Sequence, residues 1–84
     1  MSTPTIQVLY FAQVAELVKQ RQQSWELPQA TPVHQWLHEL VQQYPVLAPI
    51  QSRLKIAINQ YHVEHDALIQ PGDEVAVFEP VTGG

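Results

Sequence analysis

One amphipathic helix followed by a proline is the feature that most constrains the fold of this chain. Its apolar residues recur at i, i+3, i+4, i+7, i+8 and i+11, and they are Val33, Trp36, Leu37, Leu40, Val41 and Tyr44. This spacing puts them on one face of a helix, and that face must be buried against another layer. We predict that Thr31 caps the helix, that Pro32 occupies its first position and that Pro45 ends it. A single helix of about three turns needs a sheet to cover it.

Short apolar segments on both sides of this helix predict the strands of such a sheet. A short helix is predicted at 12–19, and the predicted strands are Thr5–Phe11, Ser24–Leu27, Leu54–Asn59, a short strand around 62–64, and Glu74–Phe78. In the first strand Ile6, Val8 and Tyr10 alternate with Leu9 and Phe11, so both faces are apolar. We therefore predict an α+β fold with a mixed sheet of about five strands around one main helix.

The composition excludes several classes of function. The chain has 84 residues and no Cys, which excludes disulfides, thiolate catalysis and Cys-based metal sites within it. Its 4 Lys and Arg against 8 Asp and Glu argue against nucleic-acid binding, and the net charge of −4 suits a basic protein partner. We see no signal-peptide pattern and no apolar run of the ~18–20 residues that span a bilayer. We therefore expect a cytoplasmic protein without a membrane partner.

Two histidine pairs are candidate metal sites. His34 and His38 are four residues apart on the long helix, beside or opposite its apolar stripe, which favours a solvated polar face. His62 and His65 lie on or near the predicted short strand. Without Cys or an HExxH motif we predict no metal site.

The diglycine that ends the sequence is the strongest candidate for function. Pro80 has no N–H to donate to a sheet, so we predict a domain at 1–80 and a flexible reactive tail at 81–84. Adenylation by ATP would turn the carboxylate of Gly84 into an electrophile that sulfur can attack, and glycine fits a narrow channel. The alternative is an inert, frayed terminus, since a terminal Gly-Gly arises by chance in about one chain in 200.

Three segments resemble the small subunit of molybdopterin synthase, a ubiquitin-like sulfur carrier with a β-grasp fold. They are VLYFAQVAEL at 8–17, AINQ at 57–60 and GDEVAVFEPVTGG at 72–84. The resemblance implies that Gly84 is adenylated and becomes a thiocarboxylate, while Val81, Thr82 and Gly83 thread into a partner. It further implies that the sulfur goes to cyclic pyranopterin monophosphate in the large subunit, where the molybdopterin dithiolene forms.

The same resemblance implies partners. They are a ubiquitin-activating-enzyme-like adenylyltransferase and the large synthase subunit, in a heterotetramer of two small and two large subunits. The chain would then be no enzyme on its own and bind no cofactor, because ATP is used by the activating enzyme. Phe11 and Phe78 correspond to apolar surface residues that dock on the partners, unless they are buried under loops. Glu79 and Ala15 depart from the family, which commonly has Pro and frequently has Arg there, and neither change touches the reactive glycine.

Three other functions fit the diglycine. The chain could be a sulfur carrier for thiazole or tRNA thiolation, whose members typically lack the VLYFAQV opening together with the Phe-x-Pro-Val-Thr ending. It could be a ubiquitin-like modifier that forms isopeptide bonds with lysines after the same adenylation. It could also be a β-grasp interaction module with an inert tail.

Overall fold

The computed structural model of this protein describes residues 3–80 and consists of a mixed five-stranded sheet packed on one main helix. The helices are α1 (Ala12–Val18) and α2 (Val33–Gln43), followed by a 3-10 segment (Pro45–Arg53). The strands are β1 (Thr5–Tyr10), β2 (Gln22–Glu26), β3 (Thr31–Pro32), β4 (Lys55–Ile58), β5 (Tyr61–Val63), β6 (Leu68–Ile69) and β7 (Glu74–Phe78). None of the helices within the described residues is long and apolar enough to cross a membrane.

The sheet has the strand order β2-β1-β7-β4-β5. Strands β1 and β7 lie side by side and run parallel, with Val8 opposite Val75, whereas the other neighbours in the sheet are antiparallel. A parallel pair needs a long crossover connection, and here that connection includes α2. The predicted β-grasp fold of about five strands around one main helix is thereby confirmed.

The core lies between the sheet and the helices. On the sheet side, Ile6, Val8 and Tyr10 of β1 are buried, as their alternation predicts. On the helix side, Trp36 and Leu40 are fully buried, and the ring of Trp36 packs edge-on to Trp25 of β2 at 5.6 Å between centroids. The apolar stripe of α2 is therefore the main cover of the sheet.

The prediction for the start of α2 is wrong in detail. Pro32 is the N-cap residue, and Thr31 makes no side-chain cap, since its hydroxyl donates to the carbonyl of Gln29 at 3.0 Å. Thr31 and Pro32 instead pair with β6. The first free N–H groups of α2 are satisfied from a distant loop, because His34 N–H donates to the carbonyl of His65 at 2.9 Å.

Other boundaries differ from the prediction by a few residues. Helix α2 ends at Gln43, and Pro45 begins the 3-10 segment, which the sequence analysis did not foresee. This segment buries Leu47 and Ile50 under α1 and α2. Strand β2 begins at Gln22 instead of Ser24. The short strands β3 and β6 were also missed.

Candidate functional site

The candidate site lies where the chain leaves β7. This strand lies at the centre of the sheet, held by β1 on one side and β4 on the other, and its last residue is Phe78. Glu79 and Pro80 follow as the last described residues. The predicted reactive residue Gly84 and the predicted threading residues Val81, Thr82 and Gly83 lie outside the described residues. The structure therefore describes the base of the tail and the surface around it.

The sheet face opposite α2 carries apolar residues, which we call the open face. Cross-strand register aligns Leu9 with Ala76, and Ala76 with Ala57, in one row across the three central strands. Ala57 is buried, whereas Leu9 and Ala76 are partly exposed. Because the side chains in this row are small or apolar, the surface of the sheet beside the end of β7 is shallow and apolar.

Phe11 stands at the edge of the open face, between β1 and α1. Its N–H donates to the carbonyl of Val77 at 3.2 Å, and its carbonyl accepts the N–H of Val14 at 3.1 Å. These bonds fix the backbone while the side chain stays 48% exposed. The alternative that Phe11 is buried under a loop is therefore wrong. An exposed large apolar side chain beside an apolar face is typical of an interface.

Phe78 is the last residue of β7 and is half-buried. It lies opposite Lys55 of β4, and the ring of His62 packs against it with 5.2 Å between centroids. His62 comes from β5, the neighbour of β4, where it pairs with Ala57 on the open face. The sequence alone does not display this contact, because only the register of β4 with β5 and β7 brings His62 to Phe78. Within the described part of the chain, Phe78 is partly covered by a side chain and not by a loop.

Two of the other histidines make separate polar contacts. His38 Nε2 lies 3.3 Å from the amide nitrogen of Gln42 at the surface, as a solvated polar face predicts. His65 Nε2 lies 3.0 Å from the carbonyl oxygen of Leu54. Between residues 3 and 80 no three His, Asp or Glu side chains are grouped so that they could hold a metal ion.

The two departures from the family lie in different surroundings. Glu79 Oε2 lies 3.5 Å from Nη2 of Arg53, at the start of the tail. Ala15 packs partly against the core and lines a shallow groove beside Phe11, together with Lys19 and Arg21. Two cations of this chain therefore lie in the groove where the family frequently carries an Arg at the position of Ala15.

A buried polar network supports the strand that presents Phe11. The hydroxyl of Tyr10 donates to Gln23 Oε1 at 2.6 Å, and the hydroxyl of Tyr44 donates to the same oxygen at 3.0 Å. Burial, with a smaller contribution from Tyr44, raises the pKa of Tyr10 well above its usual range. Tyr10 therefore stays protonated and acts as a structural donor that joins β1, β2 and the end of α2.

Residues 8–84 match the ThiS family. The chain belongs to the ThiS family. A Homo sapiens protein named molybdopterin synthase sulfur carrier subunit is 38% identical over 82 residues, which cover 94% of this chain and 93% of that protein. The protein of the same name from Escherichia coli is 38% identical over 81 residues, covering 94% of this chain and 99% of that protein. The resemblance to the small subunit of molybdopterin synthase, which three sequence segments indicate, is thereby confirmed.

A solved structure supports the fold of this ThiS family member. The H. volcanii small archaeal modifier protein 1 superposes with a TM-score of 0.79 at 22% identity, covering 93% of this chain and 99% of that one. At this identity the likeness shows the fold alone. The likeness therefore gives no evidence on function.

Proposed function

We propose that this ThiS family member is a sulfur carrier of molybdenum cofactor biosynthesis whose Gly84 becomes a thiocarboxylate. The observation that carries the proposal is the family match, which extends to Gly84, together with the names of relatives at 38% identity. The printed name of those relatives, molybdopterin synthase sulfur carrier subunit, states the same role for them.

The proposed chemistry takes place at the terminal carboxylate. One carboxylate oxygen attacks the α-phosphorus of ATP and pyrophosphate leaves, which gives an acyl-adenylate. Sulfide then attacks the carbonyl carbon, the bond between this carbon and the AMP oxygen breaks, and AMP leaves, which gives the thiocarboxylate. This chain has no Cys and only three Gly, so the nucleophile and the ATP site belong to partners. The chain is proposed to be a co-substrate of an adenylyltransferase and not an enzyme on its own.

The loaded carrier is proposed to give its sulfur to cyclic pyranopterin monophosphate within the large synthase subunit. Hydrolysis then returns Gly84 to its carboxylate form. The dithiolene of molybdopterin contains two sulfur atoms, so two loaded carriers are used for each product. We propose a heterotetramer of two small and two large subunits, in which each large subunit receives one tail.

The described part of the chain supports this proposal by its geometry. Residues 3–80 present an apolar face with Phe11 and Phe78 beside the exit from β7. Gly84 is the fourth residue after Pro80, and four extended residues reach at most about 14 Å. A partner that docks on the open face would therefore need its reactive centre within that distance of Pro80. We propose Val81, Thr82 and Gly83 as the residues that cross this distance inside the partner.

Intact mass measurement tests the proposal. The full chain and a variant that lacks Gly84 are incubated with ATP, a sulfide source and the activating enzyme of the host. We expect the full chain alone to gain the mass that corresponds to exchange of one oxygen for sulfur. A full chain that never gains sulfur would refute the carrier role, and conjugates to lysines would favour the ubiquitin-like modifier.

A second step tests the pathway. The loaded carrier is mixed with the large subunit and cyclic pyranopterin monophosphate, and molybdopterin is measured. Formation of molybdopterin is the expected result. A carrier that loads sulfur but forms no molybdopterin would instead favour thiazole or tRNA thiolation.

A further inference from the structure

We propose that Arg53 and Glu79 form an anchor that fixes the direction in which the chain leaves the sheet toward Gly84. Arg53 Nη2 and Glu79 Oε2 lie 3.5 Å apart, and within residues 3–80 no other pair of oppositely charged side chains comes this close. The inference rests on the proposed function, because it assigns a positioning role for the reactive end. It goes further in naming side chains that no partner needs to touch.

The surroundings of Glu79 show why its position depends on Arg53. The side chain of Glu79 is only 21% exposed, and its Oε2 has essentially no accessible surface and no hydrogen bond within the described residues. A buried carboxylate oxygen without a compensating partner is costly. The guanidinium of Arg53, itself 62% exposed, supplies that compensation. Without Arg53, we expect the carboxylate of Glu79 to turn toward water.

The position of the pair in the fold separates it from the open face. Val75 and Val77 point into the core. Just beyond the end of β7, Glu79 contacts Arg53, the last residue of the 3-10 segment, which packs on α1 and α2. The side chain of Phe78 points to the opposite face. The anchor therefore joins the end of β7 to the helical layer, behind the proposed docking surface.

Pro80 restricts the backbone next to this contact and so limits the direction that the chain can take. Its ring fixes its own φ near −65°, and it restricts the preceding residue, Glu79, to extended conformations. With the side chain of Glu79 also held by Arg53, the path of the backbone is set as far as Pro80. The family commonly has a second proline in place of Glu79, whose ring would restrict the backbone directly. In this chain an ion pair takes over that function.

An anchored exit lowers the number of orientations that a partner must select before the terminal carboxylate reaches its active site. The expected effect is on binding of the carrier and not on the chemical step. Arg53 and Glu79 are therefore positioning residues. Their loss should raise the KM of an activating enzyme for the carrier and leave kcat unchanged.

ATP–pyrophosphate exchange by the activating enzyme, measured against carrier concentration, tests the anchor. We expect Arg53→Ala to raise KM about two- to fivefold, which is the range of a partly exposed ion pair, with unchanged kcat. Glu79→Ala should have the same effect, and the double variant should be no worse than either. Combining Arg53→Ala with Glu79→Pro should restore KM, because the ring restricts the backbone without an ion pair.

Ser52→Ala is the matched control, since Ser52 is exposed, lies next to Arg53 in the same 3-10 segment and belongs to neither the ion pair nor the open face. An unchanged KM for Arg53→Ala, or an equal rise for Ser52→Ala, would overturn the anchor. A readout without any enzyme is the heteronuclear NOE of the Glu79 amide, which should fall in Arg53→Ala. A wild-type chain that is never adenylated would refute the proposed function, whereas an unchanged NOE would refute the anchor alone.

Discussion

The exposed ring of Phe11 allows the free energy of the proposed docking to be estimated from the structure. Phe11 is 48% exposed, and a phenylalanine side chain offers about 200 Å² in total, so about 95 Å² is open to a partner. At about 25 cal/mol per Å², complete burial of that area contributes at most about 2.4 kcal/mol. Because alanine retains one carbon, we expect Phe11→Ala to weaken binding by about 1–2 kcal/mol, or about 5- to 30-fold in Kd.

The assay is calorimetric titration of the carrier into the large subunit of molybdopterin synthase. Tyr61→Ala is the matched control, because Tyr61 is 76% exposed but lies next to His62 in β5 and therefore points away from the open face. Urea unfolding of both variants checks that stability changes by no more than about 0.5 kcal/mol. An unchanged Kd for Phe11→Ala, or an equal loss for Tyr61→Ala, would refute docking through the open face.

Two further predictions concern stability. In the turn between β4 and β5, Gln60 has a φ of +75°, a backbone conformation that favours glycine. Gln60→Gly should therefore raise the free energy of unfolding by about 0.5–1 kcal/mol. Urea unfolding measures this change, and a lower free energy of unfolding would contradict the prediction. The pKa of Tyr10 is raised in the fold, so the free energy of unfolding should fall as the pH rises above about 10, where the unfolded chain releases that proton. Tyr10→Phe should remove this part of the slope, and an identical slope would show that other groups cause it.

Hydrophobic periodicity made the larger elements of the fold predictable from the sequence. The stripe from Val33 to Tyr44 can be buried only as a helix, and the alternation of Ile6, Val8 and Tyr10 can be buried only as a strand. Both elements form with these residues in the core, apart from the last turn around Val41 and Tyr44, which is only partly buried. Such patterns are local, and a single sequence displays them directly.

Details that depend on distant partners were not predictable in this way. The sequence predicts Thr31 as a helix cap, but Thr31 instead pairs with β6. Carbonyl groups of a distant loop accept the free N–H groups at the start of α2. The 3-10 segment contains Pro49, and such a segment has no clear period. By contrast, the alternation of side chains along β1 is enough to predict the face of the sheet on which Phe11 lies. The contact of His62 with Phe78 and the pair of Arg53 with Glu79 depend on strand register, which a single sequence does not display.

The central place of β7 in the sheet has a consequence for folding of the protein during its synthesis on the ribosome. Without this strand, β1 with β2 and β4 with β5 remain as two separate two-stranded pairs, and an isolated pair of strands is at best marginally stable in water. Translation delivers β7 after all the other strands, so the sheet closes only when synthesis has almost reached the diglycine. A translation product that stops before β7 therefore lacks the closed sheet. Under the proposed function, such a product would present no stable docking surface to a partner.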